Sequence, residues 1–194
     1  MDVPPSSTWV WISRGHTKRS RTNVDGNTMR QDVHDANAIS DFVATVMSVC
    51  HALRVWYVVE QPATSMLWQY APIAQALQHT GARRVYLELG RAGGQSAKGV
   101  VLWGTAPWLE AVARKVQRQP MVAEPEPLAT RQGCWVNGNH NALQGSAQYP
   151  PPFCNTVAGA HADYLAHRPG TGQFFRQLAG IDDSIGPILV EDED

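Results

Sequence analysis

Cysteine is scarce in this 194-residue chain. Cys50, Cys134 and Cys154 are too few and too irregularly spaced for a disulfide framework, and no Cys-x-x-Cys pair offers half of a zinc site. That scarcity fits a reducing compartment, hence an intracellular protein, cytoplasmic or nuclear. Charge is sparse too: charged residues make up 17% and the net charge is −1, so no overall field draws the chain to nucleic acid. No apolar run approaches the roughly 18 residues of a membrane span, and Met1-Asp2-Val3-Pro4-Pro5 lacks the basic and apolar regions of a secretory signal. No internal repeat is present, and Gly90 to Gly94 lacks the Gly-Lys-Ser/Thr of a nucleotide-binding loop. Cys134, His140, Cys154 and His161 match no tight ligand spacing, so no metal site is expected.

What is present describes a globular, turn-rich protein: 43% hydrophobic residues, 16 glycines, 13 prolines and seven tryptophans. The length fits one domain with extensions. The charges cluster. Arg14, His16, Lys18, Arg19 and Arg21 form a basic run, read either as solvated surface or as a phosphate-contacting loop, and Glu191 to Asp194 form an acidic tail.

Periodicity divides the chain into alternating elements. Thr8 to Ile12 is a β-branched and aromatic run that predicts a buried strand, and Ser13 to Arg30 reads as a loop. From Asp32 to about Leu53, Val33, Ile39, Phe42, Val43, Val46, Val49, Cys50 and Leu53 recur at three- and four-residue steps, the stripe of an amphipathic helix. Val55 to Val59 is an uninterrupted apolar run of the kind found in central parallel strands. Thr64 to His79 is helical in composition, with Thr64 or Ser65 as cap and Pro72 imposing a break or a second start. Further strands are expected at Arg84 to Leu89 and Val100 to Trp103, with helices at Pro107 to Gln117 and Thr156 to His167. Alternation of strand and helix predicts an α/β fold with a doubly wound, mostly parallel, Rossmann-like sheet. The expected divisions are an α/β core over 1–118, a loop-rich extension over 119–180 and a disordered acidic tail over 181–194. Most tryptophans are expected in the core, with Trp68 and Trp135 the best candidates for exposure.

In such sheets functional groups collect at the carboxyl ends of strands. Pro5-Ser6-Ser7, Glu60-Gln61-Pro62 and Gly93-Gly94-Gln95-Ser96-Ala97-Lys98 fall beside strand ends. A carboxylate ending an apolar strand is partly desolvated, which raises its pKa, so Glu60 reads either as a proton-holding group or as a cap for the following helix.

The series Pro5-Ser6, Glu60-Gln61-Pro62, Gly93 to Lys98 and Gln148-Tyr149-Pro150-Pro151-Pro152-Phe153 resembles that of the C5-cytosine DNA methyltransferases. Their corresponding segments are Pro-Cys, Glu-Asn-Val, Gly-x-x-Gln-x-Arg-x-Arg and Gln-x-Phe-Pro. The chain is also similar, over nearly residues 3 to 165, to eukaryotic proteins carrying Pro-Cys-Ser-Ser-Trp-Val-Trp, Glu-Gln-Pro-Ser-Ser-Ser-Leu-Leu-Trp and Gln-Ala-Tyr-Pro-Pro segments. In the family the cysteine attacks the cytosine ring, the glutamate protonates or holds N3, and S-adenosylmethionine supplies the methyl group. The resemblance implies Ser6 at the nucleophile position and Glu60 at the glutamate. Arg14, Lys18, Arg19, Gln61, Pro62, Gln95 and Lys98 would line a nucleic-acid-facing cleft. Ser6 departs from the pattern, because a serine hydroxyl is scarcely ionised near neutral pH whereas a thiol is partly thiolate and far more nucleophilic. The Arg-x-Arg is absent, and Met1 leaves no room ahead of Pro5 for a glycine-rich cofactor turn. The resemblance therefore implies a degenerate or truncated domain, inactive alone, that binds nucleic acid weakly. The alternative is a half-enzyme that docks onto a second chain carrying the S-adenosylmethionine-binding half.

Overall fold

A computed structural model of the chain describes residues 6–94, 98–121 and 149–168. The first element is a single helical turn, α1 (Ser6–Trp9), followed by a bridge at Val10, a 3-10 turn at Trp11–Ser13 and a second short helix, α2 (Arg14–Thr17). The strand expected at Thr8 to Ile12 is thus reduced to one bridge, Val10 with Ser65. Trp9 is the reason for the bent path: it is fully buried, its ring 5.1 Å from that of Tyr70.

The long helix α3 (Gln31–Ala52) forms where the periodicity predicts a helix, but its buried face is Val33, Ala36, Ser40, Ala44 and Met47, at three- and four-residue steps, while Phe42, Val46, Val49 and Leu53 of the predicted stripe are exposed. Ser40 tolerates burial because its Oγ donates to the carbonyl of Ala36 at 2.7 Å. Strand β1 (Val58–Pro62) follows, then a 3-10 turn at Leu67–Gln69 and helix α4 (Ala71–His79). Pro72 lies in the first turn of α4, where its missing N–H costs nothing, so it starts a helix rather than breaking one. Gly81, at φ +63°, ends that segment in the left-handed conformation.

Strand β2 (Arg83–Glu88), a 3-10 turn at Leu89–Ala92 and strand β3 (Gly99–Gly104) complete a three-stranded sheet in the order β1-β3-β2. Both outer strands run antiparallel to β3, with Glu60 opposite Leu102 and Leu87 opposite Val100. The doubly wound parallel sheet is not found; the architecture is mixed α/β on a small antiparallel sheet. The physical reason lies in the connection from β2 to β3. Among its described residues the glycine-rich stretch carries only the 3-10 turn at Leu89–Ala92, and the Leu89 N–H bonds the Lys98 carbonyl at 2.9 Å, so the chain folds back on itself. β1 and β2 are parallel to each other, joined through α4, with β3 inserted between them, a split βαβ arrangement.

Helices α5 (Leu109–Gln117) and α6 (Pro151–Ala166) cover one face of the sheet, burying Leu87, Val100, Leu102, Leu109, Val112 and Phe153. Helices α3 and α4 cover the other, with Met47, Ile73 and Leu77 meeting Tyr57, Val59 and Trp103. β3 is buried on both sides, which is why its sequence is a continuous apolar run. Among the described residues no helix is long and apolar enough to cross a membrane. Trp68 packs into the second core, its ring 5.9 Å from that of Trp103, whereas Trp11 is the more exposed at 36%. Trp135 and the tail lie outside the described residues.

Candidate functional site

Side chains alternate along β1, so Val58 and Glu60 point toward the α5–α6 face while Val59 and Gln61 point toward α3 and α4. Glu60 is therefore a carboxyl set into an otherwise apolar face. Tyr149, just ahead of α6, donates its hydroxyl to Glu60 Oε2 at 2.6 Å across 89 residues of sequence. Oε1 is buried and meets no hydrogen-bond partner among the described residues. Burial pushes the Glu60 carboxyl above its ordinary value, against the opposing pull of the Tyr149 hydrogen bond and the Lys98 charge. Burial and the bond to Glu60 push the Tyr149 hydroxyl up as well.

The turn after β1 gathers the other segments. The Ala63 N–H bonds the Gly99 carbonyl at 2.9 Å, tying this turn to the end of the glycine-rich connection that carries Lys98. The Met66 N–H bonds the Trp9 carbonyl at 2.8 Å and the Trp11 N–H bonds the Thr64 carbonyl at 3.3 Å, so the segment opened by Ser6 runs beside the same turn. Gly93, at φ +85°, lets Pro152 of α6 come close; a Cβ there would sit 2.9 Å from the proline ring. Four segments distant in sequence thus meet at the carboxyl end of β1.

Not every predicted residue faces a cleft. Gln61 is fully buried and its Oε1 accepts from Ser65 Oγ at 3.0 Å, which places it in the support of the turn. Pro62 is buried opposite Val100. Arg19 is a correction to the reading of the basic run. Its side chain is 1% exposed, its guanidinium donates to the Thr8 carbonyl, the Val24 carbonyl and Asn37 Oδ1, and it lies 3.4 Å from the centre of the Trp9 ring. Burial pulls its pKa down to about 10, and it pins the amino-terminal segment to α3 instead of facing a phosphate. Arg14 and Lys18 are exposed, Arg14 stacking 4.4 Å from the Trp11 ring and Lys18 sitting in the left-handed conformation that ends α2. His16 and Arg30 both bond Asp32, which holds that carboxyl below its ordinary value. Gln95, Cys134 and His140 lie outside the described residues.

Tyr149 is the residue that reading the sequence missed as a site. Its signal is a tyrosine directly ahead of three prolines, the position that enters a helix whose first turn is proline-rich. No family model, no curated protein and no solved structure matches this chain. Among the described residues no glycine-rich turn joins a strand to the amino end of a helix.

Proposed function

We propose that the chain is a cytosine-methyltransferase-like domain that binds nucleic acid through the Glu60 carboxyl and transfers no methyl group by itself. The observation that carries this reading is the Tyr149–Glu60 hydrogen bond, which brings two of the family-like segments together at a desolvated carboxyl with Lys98 acting on it. Burial favours the neutral carboxyl, which presents an O–H donor and a carbonyl acceptor side by side. That pair complements the N3 acceptor and amino donor of cytosine. Oε1 is covered and Oε2 is engaged, so a base reaches the carboxyl only when the Tyr149 hydroxyl withdraws. The Tyr149 ring, 41% exposed, is the movable partner. Lys98, Arg14 and Lys18 supply phosphate contacts, and methyl transfer belongs to a complex with a second chain that carries the cofactor half.

The test is fluorescence anisotropy with a labelled, cytosine-rich single-stranded oligonucleotide, over a series of salt concentrations and pH values. Affinity is expected to fall with salt, with a slope of about −0.7 per phosphate contact, and to fall as pH rises through the elevated value of Glu60. Glu60→Gln, whose amide keeps a donor beside an acceptor, should bind with that pH dependence removed, and Lys18→Ala should flatten the salt slope by about one contact. Salt-insensitive binding, or an unchanged pH profile in Glu60→Gln, would overturn the proposal.

A further inference from the structure

The outer face of α3 carries a pattern that the packing among the described residues does not use. Asp35, Ile39, Phe42, Val46, Val49 and Leu53 recur at steps of four and three residues, the 3.5-residue period of a two-stranded helical seam. At 100° per residue they lie away from the buried face built by Val33, Ala36, Ser40, Ala44 and Met47. Phe42 is 67% exposed, Leu53 69%, Val49 49% and Val46 36%, and Val55 just past the helix is 52% exposed. These side chains form an apolar patch of roughly 400–500 Å², near the upper size found on single soluble chains.

We infer that this face is the contact between two copies of the chain, packed with their α3 helices antiparallel. The direction follows from charge. Asp35 opens the stripe and Arg54 closes it, one residue beyond Leu53, and Arg54 forms no ion pair among the described residues. Parallel packing would set like charges side by side, whereas antiparallel packing sets Asp35 of each copy beside Arg54 of the other and opposes the two helix dipoles. In the register centred between Phe42 and Val46, Phe42 faces Val46 of the second copy and Ile39 faces Val49. The seam is its own complement under a twofold axis, so the assembly closes as a dimer. Two patches, with Ala38 and Ala52 at their rims, bury about 1,000 Å², the low end for a specific interface, which makes the dimer a weak one. This inference is independent of the Glu60 site.

Sedimentation equilibrium of the full chain, from low to several hundred micromolar, tests it. The expected result is a concentration-dependent monomer–dimer transition that Phe42→Glu moves by at least tenfold toward monomer, with the helical circular dichroism unchanged because the site is exposed. Asp35→Arg and Arg54→Asp should each weaken the dimer, and the two changes combined in one chain should restore it. A wild-type chain that stays monomeric throughout would overturn the inference, as would a dimer indifferent to Phe42→Glu. Failure of the charge swap to restore association would overturn the antiparallel arrangement.

Discussion

Replacing Arg19 by methionine separates an arginine that serves ligands from one that serves the fold. The side chain is 1% exposed, and its three donor contacts go to Val24 O at 2.7 Å, Asn37 Oδ1 at 2.9 Å and Thr8 O at 3.0 Å. Methionine keeps much of the aliphatic volume but deprives these acceptors of their guanidinium donor. A buried polar group left unpaired costs about 1–3 kcal/mol. Loss of the stack on Trp9 adds about 1–2 kcal/mol for a desolvated cation–ring pair. Against these stands the relief of no longer burying a charge, a burden visible in the arginine's pKa being pulled down to about 10. The net expectation is a loss of about 3 kcal/mol, a large share of the 5–15 kcal/mol typical of folded domains. Urea unfolding followed by tryptophan fluorescence would read it as a lower midpoint at unchanged slope. Arg19→Lys should lose about 2 kcal/mol, since an ammonium cannot reproduce the planar fork. If Arg19→Met costs under about 1 kcal/mol while abolishing oligonucleotide binding, the structural role assigned to Arg19 is refuted and the phosphate-contact reading of the basic run is restored.

Tyr149→Phe removes a hydrogen bond that favours the ionised form of Glu60, so the Glu60 carboxyl should titrate at still higher pH; a carbon-13 NMR titration that does not move would count against the contact. Because the folded state raises the Glu60 pKa, the stabilisation from its neutral form is present below the ordinary value of 4.5 and is lost as pH rises through the folded value. Wild type should therefore lose stability relative to Glu60→Gln across that window, and a flat difference in unfolding free energy would contradict it. Gly104→Ala would put a Cβ 2.2 Å from the Tyr57 carbonyl oxygen and 3.0 Å from Val58 Cα, costing about 3 kcal/mol on the central strand. Gly81→Ala meets open space and should cost only about 1 kcal/mol for its left-handed backbone, so equal losses in urea would argue against the β1–β3 packing.

Local pattern carried a good deal of this structure. The stripe from Asp32 to Leu53 marked α3 to within a residue or so, because helical spacing is written in residues three and four apart, but not its buried face: Phe42, Val46, Val49 and Leu53 of that stripe are exposed, while Ala36, Ser40, Ala44 and Met47 are buried. The apolar runs located β2 and β3, and Glu60 stood out as a carboxyl following an apolar run. Strand direction was not written there. It depends on whether the Gly90-to-Lys98 connection crosses over or turns back, and the Leu89–Lys98 backbone bond that decides this forms only once β2 and β3 are side by side. Arg19 reads in sequence as one more member of a basic run, and its burial arises from carbonyls at positions 8 and 24 and an amide at 37 converging on one guanidinium. The partner of Glu60 lay further still. Composition alone marked the carboxyl as a candidate for an altered pKa, but the hydroxyl that holds it comes from Tyr149, 89 residues away, and only the packing of α6 against the sheet brings the two within hydrogen-bond reach.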